Sequence, residues 1–424
     1  MKLSRFGHQL SADSGIVDLM KDLGEALNVN RDVLFLGGGN PATIPEFESY
    51  AARHAQGIAS DPLAWHKLIG VYQSPKGSEE FIALLVSYIN KQFGWGISEA
   101  NVAITNGSQS AFFILLNMYA GQRVDSTADN KLAVTQRQIV FPMMPEYLGY
   151  ADQGVDKGVF KGYMPRIEYV DEHVFKYHVD FDALSLDEGS VAMCVSRPTN
   201  PTGNVLEFEE LKRLSDRAEA HSIPLIVDCA YGDPFPGIHY TDHQNYYSPR
   251  NIYVLSCSKL GLPGARTGIV IADEKIIHRV INVNTIITLA NGNFGPAIMS
   301  SMIRGGQLPS MCRDTLLPFY RSKKDFAVAC VTKYFVGLPY YLHSVEGAFF
   351  LWLWFKGLPV TSTELYERMK QKGVLIMDGA HFFFGIEQDN THRRECIRIT
   401  YCQNEAVIEK GIQLLALELK AIYS

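Results

Sequence analysis

Short β-branched and apolar runs alternate with amphipathic stretches through the middle of the chain, between residues 101 and 272. Val102–Thr105 has the composition of a strand, and the strongly apolar Ala111–Tyr119 that follows has the character of a helix. The order repeats at Val191–Ser196, which is short and apolar, and at Phe208–His221, which has helical spacing. Strands that alternate with helices predict a mostly parallel sheet with helices on both faces.

The pattern changes in the last part of the chain. Helical spacing prevails after Ala272, but Val345–Trp354 is an aromatic-rich run that is typical of a strand. Cys396–Tyr401 also alternates as strands do, so that Arg398 shares a face with Thr400. We therefore expect a second domain to begin near residue 305.

Composition and charge limit the classes of function that are possible for this protein. The chain has 424 residues, of which 47% are hydrophobic and 20% charged, as in ordinary soluble globular proteins. The 45 acidic and 39 basic residues give a net charge of -6, which argues against a nucleic-acid surface. No apolar run reaches the roughly 18 residues of a membrane span, and the first residues lack the apolar core of a signal peptide.

The cysteines and histidines indicate a reducing environment and no metal centre. The seven cysteines are scattered, odd in number and without a C-x-x-C pair, which suits reduced thiols in the cytoplasm. The sequence contains no H-E-x-x-H motif and no paired Cys/His spacing. We therefore expect no structural zinc and no metal at the functional site.

One stretch, Val254–Ala272, combines the groups that a phosphorylated ligand needs. Ser256, Ser258 and Arg266 lie between two β-branched runs, and hydroxyl and guanidinium groups bind phosphate well. A lysine beside such a cationic site and away from bulk water has a lowered pKa and becomes an amine nucleophile. Lys259 is therefore a candidate for a Schiff base with a phosphorylated aldehyde, and the alternative is a surface lysine in a Ser/Gly turn.

Polar and aromatic residues also follow other predicted strands. The turn Asn106–Gln109 precedes a helix and can offer free N–H groups to an anion, unless it is a simple strand–helix connection. Asp228 follows an apolar run, so its carboxylate is expected to be buried and to need a partner such as a protonated pyridine nitrogen. Alternatively, Asp228 caps the N-terminus of a helix. Tyr147 can stack on a flat ring, and two prolines fix Asn200. Ligands of such sheets bind at the carboxyl ends of strands, so these positions predict one site.

Three further features are less specific by themselves. The glycine-rich turn that includes Gly39 is either a main-chain contact with a substrate or a plain tight turn. Tyr72 stands in an exposed turn, and a lone tyrosine is usually a packing residue. Arg398 can hold a substrate carboxylate, although a salt-bridged surface arginine is the simpler explanation without other context.

Taken together and in this order, these residues resemble the fold-type I pyridoxal-phosphate enzymes, in their class I/II aminotransferase branch. The resemblance covers nearly the whole chain. Its motifs are Tyr72 to Gly77, Asn106-Gly107-Ser108-Gln109, Pro145-Glu146-Tyr147, Asn200-Pro201-Thr202-Gly203, Asp228-Cys229-Ala230-Tyr231, Ser256-Cys257-Ser258-Lys259, Arg266, Glu346-Gly347-Ala348-Phe349 and Arg398. Further similar stretches include Ser14-Gly15-Ile16 and Leu36 to Ala42.

The resemblance implies an α/β fold of the aspartate aminotransferase type. A large domain, residues 51–304, would carry a mostly parallel seven-stranded sheet flanked by helices and bind the cofactor. Residues 305–424 would form a smaller α+β domain, to which the N-terminal segment, residues 1–50, would also belong.

The resemblance further implies pyridoxal 5′-phosphate as the cofactor and assigns roles to site residues. Lys259 would form the Schiff base and move a proton, and Asp228 would pair with the ring nitrogen. Asn200 and Tyr231 would hydrogen-bond the phenolic oxygen, and Tyr147 would stack on the ring. The implied phosphate-binding residues are Gly107, Ser108, Gln109, Ser256, Ser258 and Arg266.

Two more roles concern the substrate and a second subunit. Arg398 would bind the substrate α-carboxylate, with Gly39 and Asn200 beside it. Tyr72 would reach the phosphate from the neighbouring subunit, which makes a homodimer the expected functional unit. No nucleic acid and no membrane is expected as a partner.

The expected reaction is a ping-pong transfer of an amino group between an L-amino acid and a 2-oxo acid. Residues 280–303 contain no Lys or Arg, which disfavours dicarboxylic substrates. The aromatic run Phe349–Trp354 and the apolar Ile16 suit a small apolar side chain, so we expect L-valine and pyruvate to give 3-methyl-2-oxobutanoate and L-alanine. The alternatives are alanine or another neutral or aromatic amino acid, a lyase or decarboxylase reaction on the same fold, or a non-enzymatic effector-binding domain.

Overall fold

A computed structural model describes residues 2–12, 17, 33–126, 132–387 and 390–424. The proposed contribution of Ile16 to the substrate pocket, and the similarity at Ser14-Gly15-Ile16, lie outside these residues. No described helix has both the length and the apolar character that crossing a bilayer requires.

The described chain contains sixteen strands and, besides short 3₁₀ turns and one π-helical turn at Met311–Leu316, twelve α-helices. The strands are β1 Leu34–Phe35, β2 Val102–Thr105, β3 Gly121–Ser126, β4 Leu132–Phe141, β5 Phe160–Gly162, β6 Arg166–Asp171, β7 Val174–His178, β8 Ser190–Ser196, β9 Leu225–Asp228, β10 Ile252–Ser256, β11 Gly268–Ile271, β12 Tyr341–His343, β13 Phe350–Trp354, β14 Val374–Leu375, β15 Met377–Asp378 and β16 Cys396–Thr400. The helices are α1 Arg5–Leu10, α2 Pro45–Ser60, α3 Pro62–Gly70, α4 Glu79–Phe93, α5 Ser108–Tyr119, α6 Phe208–Ala220, α7 Glu274–Thr288, α8 Phe294–Arg304, α9 Leu308–Ser310, α10 Leu317–Tyr334, α11 Ser362–Gln371 and α12 Glu405–Tyr423.

The larger sheet has the order β2-β11-β10-β9-β8-β4-β3, with β5 paired to β4. The strands β10, β9, β8, β4 and β5 pair in parallel, whereas β11 is antiparallel to both its neighbours and β3 is antiparallel to β4. The expected α/β class and mostly parallel sheet are confirmed. The sheet has eight strands rather than seven, because β4 is long enough to pair with β3 beyond its parallel partners.

The central strands explain why polar residues meet at one edge of this sheet. Strands β9 and β10 are buried along their whole length, as expected where helices cover both faces. Ser196, at the end of β8, is in register with Asp228, at the end of β9. Ser256 ends the parallel neighbour β10. The carboxyl ends of three parallel strands therefore place polar side chains side by side, at the edge where such sheets bind ligands.

The second sheet has the order β15-β16-β13-β12-β7-β6, and β1 pairs separately with β14. Most of its strands come from the C-terminal part of the chain, but β6 and β7 come from within residues 51–304. The division into residues 1–50, 51–304 and 305–424 stays a prediction.

The strand expected at Val345–Trp354 begins only at Phe350. The preceding Ala348 has a φ of 55°, which lies in the left-handed region and interrupts extended backbone. The aromatic composition of the run therefore predicted a strand correctly but placed its beginning too early.

Candidate active site

A cavity of about 550 Å³ opens at the carboxyl ends of β8, β9 and β10. Most of the site residues expected from the sequence line it. These are Gly39, Ser108, Gln109, Tyr147, Asn200, Asp228, Tyr231, Ser256, Ser258, Lys259, Arg266 and Arg398. Gly107 lies directly behind Arg266, while Tyr72 is not part of the lining that this chain provides. Residues more than 350 positions apart in the sequence thus share one cavity.

Lys259 follows β10 and extends its amine into the cavity. The Nζ atom donates a hydrogen bond to the carbonyl oxygen of Gly39 at 2.6 Å. Burial, helped by the positive charges of Arg398 and Arg266, lowers the pKa of Lys259 from 10.5 to about 8. An appreciable fraction of this amine is therefore unprotonated near neutral pH, as a nucleophilic or proton-transferring lysine requires.

Asp228 presents a buried carboxylate to the same cavity. Its Oδ2 accepts a hydrogen bond from the Tyr150 hydroxyl at 2.5 Å, and its Oδ1 accepts one from the backbone N–H of Ala230 at 2.8 Å. Burial raises the pKa of Asp228 to about 6, while these two hydrogen bonds and the charge of Lys259 oppose the rise. The carboxylate is thus held in a fixed orientation and is ready to accept a cationic partner.

Arg398 and Asn200 close the side of the cavity formed by the second sheet. Arg398 is 2% exposed, and it donates from Nη1 to Asn200 Oδ1 at 2.8 Å and from Nη2 to the Gly37 carbonyl at 2.6 Å. Its guanidinium carbon lies 4.2 Å from the centre of the Phe350 ring. Burial lowers the pKa of Arg398 to about 10, so the side chain still carries its charge at neutral pH. A buried guanidinium of this kind is suited to binding a carboxylate in a bidentate manner.

The opposite end of the cavity has the features of an anion site. Gly107 caps the N-terminus of α5 with a φ of 92°, so the backbone turns there in a way that glycine tolerates best. A Cβ atom at this position would lie 2.4 Å from Arg266 Nη2, so only glycine lets the guanidinium pack against the turn. Ser108 and Gln109 begin the helix, whose free N–H groups favour a negative charge. Ser256 Oγ accepts a hydrogen bond from the Ser258 N–H at 3.2 Å.

Two tyrosines stand between these ends. Tyr147 lines the cavity, and its ring meets the Tyr150 ring edge-on with the centroids 5.2 Å apart. Tyr231 is 4% exposed, and its hydroxyl has no hydrogen-bond partner among the described residues. Because leaving a buried hydroxyl unpaired costs about 1–3 kcal/mol, this atom indicates that a ligand supplies the missing partner.

Tyr72 lies outside the cavity and is 81% exposed. Apolar side chains that are more than half exposed lie on α3, at the end of α7 and at the start of α8. They are Leu63, Ile69, Ile286, Ile287, Leu289 and Phe294. The Asn293 side chain ties α3 to this region by donating to the Val71 carbonyl at 2.8 Å. We call Tyr72 and these six residues the apolar patch.

The structure adds two residues that the sequence did not single out. Tyr150 holds Asp228 but stood in the sequence only as one of several aromatics after β4. Glu146 is fully buried, accepts hydrogen bonds from the backbone and hydroxyl of Ser196, and burial raises its pKa to about 8. The sequence signal for both was their place in the segment after a buried strand. The aromatic run Phe349–Trp354 is not part of the cavity lining formed by the described residues. Phe350 instead packs against the Arg398 guanidinium, and the Phe349 ring centre lies 5.7 Å from Lys259 Nζ.

Comparison with known proteins agrees with this geometry. A family model described as aminotransferase class I and II matches residues 31–415. The valine–pyruvate aminotransferase of Escherichia coli (strain K12) is 42% identical over 427 residues, which cover 100% of this chain and 99% of that protein.

Solved structures extend the likeness to the fold. The crystal structure of valine–pyruvate aminotransferase from Salmonella typhimurium LT2 has a TM-score of 0.87 at 40% identity and covers 96% of this chain and 99% of its own. The aspartate aminotransferase of Thermus thermophilus with maleate, at 18% identity, has a TM-score of 0.77 over 98% of this chain and 99% of its own, and supports the fold alone. This chain therefore belongs to the aminotransferase class I and II family.

Proposed function

We propose that this aminotransferase uses pyridoxal 5′-phosphate to transfer the amino group of L-valine to pyruvate, giving 3-methyl-2-oxobutanoate and L-alanine. The observation that carries the proposal is the meeting of Lys259, Asp228 and Arg398 in one cavity, where an amine, a carboxylate and a guanidinium surround the same space. The full-length similarity to a protein named valine–pyruvate aminotransferase supports the choice of substrates.

The residues present fit the proposed cofactor. The unpaired Tyr231 hydroxyl faces a cavity that can hold a ring bearing a phenolic oxygen. At the anion end, Gly107 leaves room for Arg266 beside the N-terminus of α5, which suits a phosphate group. Asp228 lines the same cavity and can pair with a ring nitrogen. When bound, the cofactor supplies an aldehyde that condenses with amines and a ring that accepts the electron pair released at the substrate Cα.

Lys259 is proposed to act as nucleophile and then as the proton carrier of the reaction. The low pKa of its amine would allow it to take the proton from the substrate Cα and to pass it to the former aldehyde carbon of the cofactor. The second half-reaction would run the same transfer in reverse. The Gly39 carbonyl holds Nζ in the cavity and so limits the positions from which the amine can act. Asp228, oriented by Tyr150, is proposed to keep the ring nitrogen protonated.

Arg398 is proposed to orient both substrates through their shared α-carboxylate. Its Nε has no hydrogen-bond partner among the described residues and is available for such a contact. Asn200 occupies Nη1 and steadies the guanidinium from the other side. Because amino acid and oxo acid carry the same carboxylate, one arginine serves both half-reactions.

The lining of the cavity supports a neutral substrate side chain. Among its described lining residues, the basic ones are Lys259, Arg266 and Arg398, and each already has a proposed role. Phe35 and Leu148 add apolar surface. The described part of the lining therefore offers no further cation for a distal carboxylate, which favours valine and alanine over aspartate and glutamate.

We further propose that two copies of the chain associate through the apolar patch and that the enzyme works in the cytoplasm. Six apolar side chains that are each more than half exposed, on helices tied together by Asn293, favour an interface there. The patch adjoins the anion end, because the Gly292 N–H donates to Oδ1 of Asn106, the first residue of the Asn106–Gln109 turn, at 3.0 Å. A second copy seated there can bring its Tyr72 to that phosphate.

Analysis of the products tests the proposed reaction. The purified holoenzyme is incubated with L-valine and pyruvate, and 3-methyl-2-oxobutanoate, alanine, ammonia and carbon dioxide are quantified together. The proposal requires equal amounts of the oxo acid and alanine without ammonia or carbon dioxide. Faster turnover of aspartate or glutamate than of valine or alanine would contradict the substrate assignment, and release of ammonia would favour a lyase.

A further inference from the structure

A second cluster of reactive side chains lies behind the loop that carries Tyr231. Asp233, His239 and His243 place one carboxylate oxygen and two ring nitrogens within 4.8 Å of one another. Asp233 Oδ2 is 2.8 Å from His243 Nε2 and 3.7 Å from His239 Nε2. The two imidazole rings stack with their centroids 3.7 Å apart, so both Nε2 atoms face the same carboxylate. None of the three residues lines the active-site cavity.

His239 is the unusual member of this cluster. It is 5% exposed, and neither of its ring nitrogens has a hydrogen-bond partner among the described residues. A neutral imidazole always has one nitrogen with a free lone pair and one N–H, and burying both without partners is unfavourable. The Nε2 atom is directed at the Asp233 carboxylate but lies too far away for a hydrogen bond. An ion or molecule bound between His239 Nε2 and Asp233 Oδ2 would supply the missing partner of Nε2.

We propose that Asp233, His239 and His243 bind a divalent transition-metal ion of the zinc type. Two imidazole nitrogens and one carboxylate oxygen form a ligand set that zinc uses with a fourth, water-occupied position. Bond lengths of about 2.0–2.1 Å place neighbouring ligand atoms of a tetrahedral ion roughly 3.3 Å apart. The two distances from Asp233 Oδ2 lie on either side of this value, so small side-chain rotations suffice to admit the ion.

A metal ion can reach the cluster of Asp233, His239 and His243 from solvent. The side chains of His243 and Asp233 are 21% and 20% exposed, which leaves one face open to solvent for the ion and its water. Arg197, whose positive charge acts on Asp233 and His239, directs Nε to the Leu206 carbonyl at 2.8 Å and Nη2 to the Gln244 carbonyl at 3.1 Å. Its charge weakens binding of a cation, so we expect moderate affinity rather than that of a zinc finger.

The ion would fasten the loop that supports the active site. The Ile238 N–H donates to the Tyr231 carbonyl at 2.9 Å, and His239 forms an isolated bridge with Gly347 beside the second sheet. A metal that links position 233 to positions 239 and 243 therefore closes the loop 233–243, which begins two residues after Tyr231 and is hydrogen-bonded to it through Ile238. We expect it to stabilise the folded enzyme rather than to take part in the chemistry.

This proposal replaces the sequence-based expectation of no metal. The sequence His239-Tyr240-Thr241-Asp242-His243 does contain two histidines four positions apart. It lacks the glutamate that defines the H-E-x-x-H motif, and the third ligand precedes it by six positions, so the spacing alone carried no signal.

Metal content and thermal stability test the site. Purified full-length holoenzyme is treated with a chelator, dialysed, supplied with micromolar zinc chloride and desalted before elemental analysis. The wild type should retain about one zinc ion per chain, and zinc should raise its melting temperature by at least about 3 °C. His243→Ala and Asp233→Asn should bind zinc at least about tenfold more weakly and lose the temperature shift.

The partly exposed His243 is the better variant, because truncating the buried His239 can also disturb folding. The melting temperature of each variant without metal and its far-ultraviolet circular dichroism report whether the fold is intact. His278→Ala, an exposed histidine on α7, is the matched control and should retain zinc like the wild type. Equal zinc retention in wild type, His243→Ala and Asp233→Asn, or no retention by the wild type, would overturn the proposal.

Discussion

The two ends of the active-site cavity differ in how far one chain completes them. At the end that holds Asp228 and Arg398, which we call the inner end, both residues are buried. Both, like Lys259, have hydrogen-bond partners within the same chain. At the anion end, which we call the outer end, Arg266 is exposed, and Tyr72, which belongs to the apolar patch, is 81% exposed.

This difference predicts that the two ends of the cavity have different roles. The inner end is pre-organised by burial, and its pKa shifts follow from that burial. The outer end lacks such enclosure within one chain, and under our proposal it gains that enclosure when a second copy covers the apolar patch. Substitutions at the inner end should therefore impair the chemistry of each chain, whereas those at the outer end should act through assembly and retention of the cofactor.

The largest effect is expected from Lys259→Ala. Without the amine, neither the covalent link nor the proton transfer at Cα is available, so turnover should fall by at least about 10⁴-fold. Steady-state rates with L-valine and pyruvate measure it, and Lys91→Ala on α4 is the control for loss of a lysine elsewhere. Retention of a few per cent of wild-type activity in Lys259→Ala would show that Lys259 is not the essential amine of the mechanism.

Arg398→Lys should have the next largest effect. Lysine keeps the positive charge but not the planar fork, so binding of the α-carboxylate weakens by roughly 1.5–3 kcal/mol. We expect the KM values for valine and pyruvate to rise together by roughly ten- to a hundredfold, with a smaller change in kcat. Arg279→Lys on α7 serves as the control. An unchanged KM for both substrates would show that another group binds the carboxylate.

At the outer end, Ile286→Asp places a charge on a side chain that is 86% exposed in one chain. If the apolar patch is the interface, burying this unpaired charge shifts the protein to monomers and lowers specific activity by about tenfold at dilute concentrations. Size-exclusion chromatography with light scattering measures the assembly.

The variant Tyr72→Phe tests cofactor binding at the outer end separately from association of the two chains. It should leave the dimer intact but lower the affinity for pyridoxal 5′-phosphate by about tenfold, because a hydrogen bond to a charged group is lost. Equilibrium dialysis against the cofactor reports this affinity. If Ile286→Asp stays dimeric and Tyr72→Phe retains the cofactor normally, the contrast between the two ends fails.

The smallest effect is expected from Tyr150→Phe. The Tyr150 hydroxyl lowers the pKa of Asp228, which burial raises to about 6, so removing the hydroxyl should raise that pKa further. Asp228 then becomes protonated at a higher pH, and the acidic limb of the kcat/KM profile should move upward by roughly half a unit to one unit. Tyr119→Phe is the control, and movement of the limb to lower pH would contradict this assignment.

The sequence predicted which residues line the cavity wherever they stand at the end of a parallel strand. Asp228 and Lys259 were found because apolar runs locate the strands and parallel topology brings their carboxyl ends to one edge. Arg398 needed the family resemblance, since alternation along β16 fixes its face but not what lies opposite.

Other features depend on contacts between separate segments and had no local signature. Tyr150 has its role only because it contacts Asp228 at the end of β9. The predicted start of β13 was too early because Ala348 adopts a left-handed backbone conformation. The cluster around His239 likewise arises from the path of one loop. Periodicity reports which faces are buried but not which side chains meet.

The absorbance spectrum of the purified enzyme tests the central claim most directly, because it reports the state of the bound cofactor in a single half-reaction. L-Valine alone should abolish the visible band of the lysine-bound cofactor, and pyruvate added afterwards should restore it, with both changes absent in Lys259→Ala. A spectrum without this band, or one that L-valine leaves unchanged, would contradict the account.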